Sequence, residues 1–276
     1  MDTKLNKQMQ SLKKSIEEKE VETMYQMPLW GHEQRAIPND FARSALFSAT
    51  KGTGGQLIDN EKIFSQNEIS LYYKGKRLTQ DHLDVYSAVM HLYREVPEGN
   101  DVRFTEHSLL KIMDRKKGGT DHNRLVDILT DLTATSLTIK HNTRGKVYWG
   151  SLLPEGASNP ENGTYRLKVS RTLAKFFSYG YVTVEQKKRK LLARSPLAKY
   201  MQNWILSHKT PYPVTIEYLH NVSGSKAKNM KSFKQRLTSA LDKLVEINVI
   251  ESWEYKELDG VQKVIIGKLK AKPVND

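Results

Sequence analysis

From residue 195 to residue 269 the chain runs through its apolar periodicities in an order that few folds accommodate. Leu197, Met201, Trp204 and Ile205 repeat at helical spacing, with Ser195 placed to cap the helix and Pro196 suited to its first position. Pro211 and Pro213 stop that helix, and a short strand at 214–216 and a short helix at 217–222 follow. Ser223, Gly224 and Ser225 read as a turn, after which 228–247 is the longest helix of the region. Two β-prone runs, 250–255 and 261–269, flank Asp259-Gly260, a hairpin signal. Helix, helix, turn, helix, hairpin is the order of a winged helix-turn-helix, whose third helix is the recognition helix and whose hairpin is the wing.

A similar order is legible upstream, without a repeat of the residues themselves. A strand at 69–74 precedes a helix capped by Asp81, in which Leu83, Tyr86, Val89, Met90 and Tyr93 recur at 3–4 spacing up to Pro97 and Gly99. Residues 104–113 read as a strand end and a helix capped by Thr105. A basic, glycine-rich turn (DRKKGGTD, 114–121) leads into a helix at 121–134 with Leu125, Ile128, Leu129 and Leu132 inward. Strands at 135–139 and 146–153, joined by HNTRG, would be its wing. A strand at 164–169, a short helix at 170–177 and a β-prone stretch at 182–185 follow. The expected fold class is α+β, with two tandem winged-helix domains at 28–186 and 187–276. Before them, 1–27 reads as a flexible or marginally helical tail, with Leu5, Met9, Leu12 and Ile16 on one face.

Charge says where an anionic partner would sit. The net charge is +13, and residues 187–276 hold 18 basic and 8 acidic side chains, so ten of the thirteen charges fall there. Such an excess most often marks a nucleic-acid partner, with a solvated basic face as the alternative. On the 228–247 helix Met230, Phe233, Leu237, Leu241 and Leu244 form the inward stripe. Lys228, Lys231, Ser232, Gln235 and Ser239 face away, with Arg236 on the flank. Gln235 suits adenine, and Arg236 or Lys231 guanine, in a major groove. Lys226 and Lys234 suit phosphates, which hold DNA without reading it. In the first domain the third helix exposes Thr120, Asn123, Arg124, Asp127, Thr130 and Asp131, so its candidates are Asn123 and Arg124. Lys116 and Lys117 in the preceding turn, and Arg144 and Lys146 in the expected wing, are its phosphate candidates. The KKRKLLAR run at 187–194 reads as a basic linker, either crossing a DNA backbone or merely solvated.

Other chemistry is narrowed by absence from the sequence. With no cysteine there are no disulfides, thiol nucleophiles or cysteine–zinc sites. No GxxxxGK[ST] loop is present, and the eight histidines show neither HxH nor HExxH spacing, so neither a cofactor nor a metal is expected. Thirteen tyrosines lack a clustered activator for a strand-nicking reaction. No apolar run of about 18 residues exists to span a membrane, and 1–20 lacks an apolar signal core, so a cytoplasmic protein is expected.

Two segments carry a resemblance. PLWGHEQRAIPNDFARSALF (28–47) and SPLAKYMQNWILSHKTPYPVTIEYL (195–219) are similar to TrfA-type plasmid replication initiators. The resemblance implies a bacterial protein that binds directly repeated duplex sites, iterons, at a plasmid origin. It implies help in opening an adjacent AT-rich segment, recruitment of the host helicase together with DnaA, and a monomer–dimer balance. A separate motif, Gln26-Met27-Pro28-Leu29-Trp30, is similar to peptides that dock on the bacterial sliding clamp. Gln26, Leu29 and Trp30 would be its anchors; alternatively Leu29 and Trp30 staple the entry segment onto the first domain. The other readings of the chain are a winged-helix repressor on an inverted repeat, acting on its own promoter, and a nicking enzyme.

Overall fold

In the computed structural model, residues 7–9, 11, 27–51, 55–66, 69–97, 99–115, 119–142, 145 and 147–269 are described. The first part of the chain forms β1 (Gln34–Pro38), α1 (Asn39–Ala42), β2 (Leu57–Ile63), β3 (Ile69–Lys76), α2 (Gln80–Tyr93), β4 (Val102–Thr105), α3 (Glu106–Ile112) and α4 (Gly119–Thr133). Then come β5 (Ser136–His141), β6 (Val147–Gly150), β7 (Glu155–Asn159), β8 (Thr164–Lys168), α5 (Arg171–Ala174) with a 3-10 turn over Lys175–Tyr179, β9 (Tyr181–Glu185) and α6 (Gln186–Leu191). The remainder is α7 (Pro196–Ser207), β10 (Val214–Thr215), α8 (Ile216–Val222), α9 (Met230–Glu246), β11 (Ile250–Leu258) and β12 (Val261–Lys268).

Helix starts are set by local chemistry. The Thr105 hydroxyl accepts from Ser108 N–H at 3.2 Å, Ser195 from Ala198 at 3.4 Å, Thr215 from Tyr218 at 3.1 Å, and the Asn229 side chain from Ser232 at 2.8 Å. At α2 the cap is Thr79, which forms a capping box with His82; Asp81, expected as the cap, instead lies in the first turn. The hairpin at Asp259-Gly260 turns with φ of 54° and 70°, the left-handed pair that a two-residue loop demands and that this dipeptide tolerates.

Sheet order identifies the winged helices. In the C-terminal unit the order is β10-β12-β11: the short strand between the first two helices pairs with the second strand of the hairpin. In the N-terminal unit β4-β8-β7 repeats this arrangement around α2, α3 and α4. The first wing is therefore the hairpin β7–β8. The pair β5–β6, expected as the wing, is inserted between the third helix and the true wing. It extends a separate sheet, β2-β3-β5-β6, in which β5 lies along β3. β1 and β9 pair antiparallel, with Ile37 opposite Val182, and so tie the start of the unit to its end.

One apolar core runs from Met27 to Val184 and a second from Leu192 to Ile266, with Leu206 packed against both. The inward stripes of α2, α4, α7 and α9 are buried as expected, except for Met230, which is 40% exposed at the first turn of α9. β1, α1, β2, β7 and α6 are additions to the expected elements.

Candidate nucleic-acid interface

α9 buries Phe233, Leu237, Ala240, Leu241 and Leu244. Its 100° advance per residue then directs Lys231, Gln235, Arg236 and Ser239 to solvent, and all four are exposed. Ser232 is partly covered, and its backbone N–H is held by the Asn229 cap. Lys226 and Lys228 stand exposed in the turn before the helix. Lys234 is committed to the wing: its ammonium donates to Gln262 Oε1 at 2.6 Å and lies 4.6 Å from the Tyr255 ring centroid. It fixes the hairpin against the helix and is not a free phosphate contact.

The outward face of α9 does not stand alone. Gln235, Arg236, Ser239, Ser225 and Lys226 line one side of an open groove of about 530 Å³. Its other side comes from Ala49, Thr50 and Lys51 of the first unit and from Arg194, Ser195, Pro196 and Leu197. Lys51, Arg194, Lys226 and Arg236 give four cations, and no lining residue is acidic. Lys51 and Arg194 were not singled out in the sequence. Arg194 closes the basic run, a signal that was present, whereas Lys51 sits beside the glycine-rich loop and is brought in only by the contact between units. That contact is close: Ala49 N–H donates to Ser223 O at 2.7 Å, and Gly224, at φ 58°, lies against Ala45 and Ser48.

The first unit is organised differently. Asn123 is exposed on α4. Arg124 is half-exposed and donates to Asp81 of α2, so this guanidinium is occupied within the protein. Asp131, expected to face outward, is nearly covered and pairs with Lys76 at 3.0 Å and His82 at 3.1 Å. The aspartate therefore balances an internal charge and does not repel phosphates. Lys116, Lys117, Arg144 and Lys146 lie outside the described residues. Arg144 and Lys146 fall in the β5–β6 connection, so topology removes them from the wing. On the wing itself Arg166 pairs with Asp101 and Glu155, each at 3.0 Å.

The basic run 187–194 is helical in its first part and is solvated except at Arg189 and Leu192, with Lys188 partly covered. Residues 187–191 lie in α6 and 192–194 in the turn after it; Arg189 is buried, while Lys187, Lys190 and Arg194 stay exposed. The Arg189 Nε donates to Asp84 Oδ1 at 2.9 Å, and its two terminal nitrogens reach Gln80 Oε1, the Lys199 carbonyl and Asn203 Oδ1 at 2.7–3.2 Å. Lys199, also buried, donates to the other Asp84 oxygen at 2.6 Å. Burial by itself would raise the Asp84 carboxyl; Arg189, Lys199 and Arg115 outweigh it and hold the group at about 2.

Trp30 is part of the core. Its ring stacks on Phe177 at 5.6 Å between centroids, and its N–H donates to His91 Nδ1 at 3.0 Å. Leu29 beside it is 68% exposed, and Gln26 lies outside the described residues. The structure thus makes Trp30 a staple; its aromatic ring is not presented as a clamp anchor. Burial, then Arg35 and Arg94, press His91 down to about 3, so its neutral ring remains free to accept the indole proton. Among the described residues no group of three or more His, Asp or Glu side chains is arranged to hold a metal ion, and no helix is long and apolar enough to cross a membrane.

Two winged-helix units in one chain, joined by a buried polar contact, define the class of fold. The chain belongs to the TrfA protein family, whose sequence profile matches residues 2–262. It is 25% identical over 255 residues to the plasmid replication initiator protein TrfA of Escherichia coli, a match covering 89% of this chain and 66% of that protein. The chain thus spans just under two thirds of the relative's length. Domains 2 and 3 of RctB superpose with a TM-score of 0.58 at 13% identity, over 83% of this chain and 98% of theirs. The Pi initiator protein, solved in complex with iteron DNA, superposes with a TM-score of 0.51 at 12% identity, over 68% and 92%. At such identities the two likenesses speak to the fold.

Proposed function

We propose that this chain is a plasmid replication initiator that binds directly repeated duplex sites at an origin through its two winged-helix units, 28–186 and 187–276. The observation that carries the reading is the acid-free groove along α9. Gln235, Arg236 and Lys231 read base edges, with Ser239 beside them, while Lys226, Lys228, Arg194 and Lys51 hold the flanking phosphates. The N-terminal unit contributes Asn123 on α4 and the 116–117 lysine pair. Family membership, and an iteron complex of a protein with the same fold, support duplex repeats as the target.

Neighbouring copies on tandem repeats would strain the duplex, and the strain is released most cheaply at flexible TA steps. Opening of an AT-rich tract and delivery of the host helicase with DnaA complete the proposed role, with a monomer–dimer balance setting the active fraction. Trp30 contributes no clamp contact in this reading.

Selection of bound sequences from random duplexes at about 150 mM salt, where sequence-independent phosphate binding is weakened, tests it. One asymmetric motif spanning two major-groove segments, found in tandem beside an AT-rich tract, is the expected result. A palindrome would replace the initiator with a two-fold repressor, and no enrichment would refute sequence-specific recognition.

A further inference from the structure

The two units meet at a buried charge cluster that the duplex-binding face does not use. Asp84, on α2 of the N-terminal unit, receives Arg189 from α6 and Lys199 from α7 of the C-terminal unit. Arg115, just beyond α3, stands 3.7 Å from both Asp84 and Asp81. Asp81, one helical turn before Asp84, accepts from Arg124 of α4 and lies 3.5 Å from Lys199. Gln80 and Asn203 join across the same seam at 3.2 Å. The two aspartates therefore link the third helix of one unit, the connecting helix, and the first helix of the other. Arg189 and Lys199 are each only 4% exposed, although they border an open groove of about 500 Å³, so Asp84 compensates two cations largely withdrawn from water.

From this geometry we propose that Asp84 is a positioning residue for DNA recognition, a lock that holds the two winged-helix units at one angle and thereby fixes the spacing of the two half-sites. The inference rests on the reading of both units as duplex binders. Elsewhere the seam holds apolar contacts, such as Phe64 against Tyr218, and neutral-acceptor hydrogen bonds, such as Ala49 to Ser223, Arg43 to Ser207 and Gln66 to Tyr218, but no other ion pair with a buried cation among the described residues. A carboxylate between a guanidinium and an ammonium is directional and satisfied in one arrangement only. Without its charge, Arg189 and Lys199 lose their shared carboxylate, Asp81 remains near only Lys199 of the two, and the seam loosens. One base pair more between half-sites rotates the second by about 35° and shifts it by about 3.4 Å, which a rigid pair of readers cannot follow.

The lack of cysteine in the chain allows a direct test on the whole of this 276-residue chain. Spin labels at Lys62→Cys and Glu246→Cys, one exposed site in each unit, report the distance distribution between units. The same proteins are titrated with the selected duplex and with versions carrying one to three extra base pairs between half-sites. With Asp84 intact, a narrow distribution and a loss of about 100-fold on the spaced duplexes are expected, because simultaneous engagement is forbidden. Asp84→Asn should broaden the distribution and reduce the spacing loss below about tenfold. Asp84→Asn with Lys199→Met, which removes one charge of each sign, does the same if the single variant folds poorly. A narrow distribution with an unchanged spacing loss in the double variant overturns the lock. So does an equal loss on every duplex with the distances unchanged, since that is mere destabilisation. Broadened distances without any sequence-selective binding would uphold the lock and refute the initiator reading instead.

Discussion

Replacing Trp30 with alanine tests how the chain enters the N-terminal unit. The indole is 8% exposed, stacks on Phe177 with planes 12° apart, and lies 6.0 Å from the Tyr181 ring. Truncating a buried Trp costs about 3–5 kcal/mol, and the position of Trp30 near the edge of the core argues for the lower end. Loss of its hydrogen bond leaves His91 Nδ1 to Arg94, which also reaches it, so the unsatisfied-acceptor penalty is small. About 3 kcal/mol corresponds to a fall of about 6–12 °C in Tm for a cooperative unit of this size. Thermal and urea unfolding should show that fall for Trp30→Ala and a change within about 0.5 kcal/mol for the exposed Leu29→Ala. Trp30→Phe keeps the stack and loses the N–H, so it should cost about 1 kcal/mol. An unchanged Tm for Trp30→Ala, with loss of binding to a purified sliding clamp, would refute the staple and restore the docking peptide.

Further outcomes follow from the groove, the seam and the buried titratable groups. Arg236→Ala or Gln235→Ala should cost about 1–3 kcal/mol on the selected duplex and relax preference at one position, whereas Lys226→Ala should weaken all duplexes alike and lower the salt slope by about one; filter binding across salt concentrations separates them. Gly224→Ala places a methyl carbon 3.0 Å from Ser48 Cβ and 3.2 Å from Ala45 Cβ at a φ of 58°, so a loss of about 1–2 kcal/mol is expected in denaturant titration. His82, His91 and His208 are each held below 6.5, with burial the largest cause. The unfolded chain then binds more protons as pH falls through 6.5, and stability should drop, by about 1.4 kcal/mol from His91 alone at pH 5.5. Asp84 acts in the same sense at lower pH: its stabilisation is present above about 4 and is lost between there and about 2. Urea unfolding from pH 8 to pH 3 reads both, and a flat profile between 7 and 5 would refute the neutral buried histidines.

The two units share a topology and differ in how their third helices are charged. On α9 Lys231 and Arg236 face solvent because its inner face is apolar and no acidic residue lines the groove beside it. On α4 Arg124 and Asp131 are drawn inward by Asp81, Lys76 and His82 of the adjacent elements. The excess of positive charge in residues 187–276 thus has a local physical meaning at the groove. Part of that excess, Arg189 and Lys199, is nonetheless spent inside the molecule.

Local sequence determined the elements of the C-terminal unit nearly residue by residue, because capping, proline stops and a 3.6-residue stripe are properties of neighbours along the chain. It also determined which face of α9 is polar. Tertiary structure alone decided which hairpin is the first wing. The sequence shows strand signals at β5, β6 and β8 but none at β7, and the pairing of β8 with β4 and of β5 with β3 identifies β7–β8 as the wing. It decided that Met230 stays exposed, that Lys234 is tied to Gln262, and that Trp30 is packed on Phe177. It also drew Arg189 out of a basic run into a buried lock, since Asp84 and Arg189 are 105 residues apart and no local pattern records their meeting. Charge shows in a sequence as an amount; its partner is set by which surfaces the fold brings together.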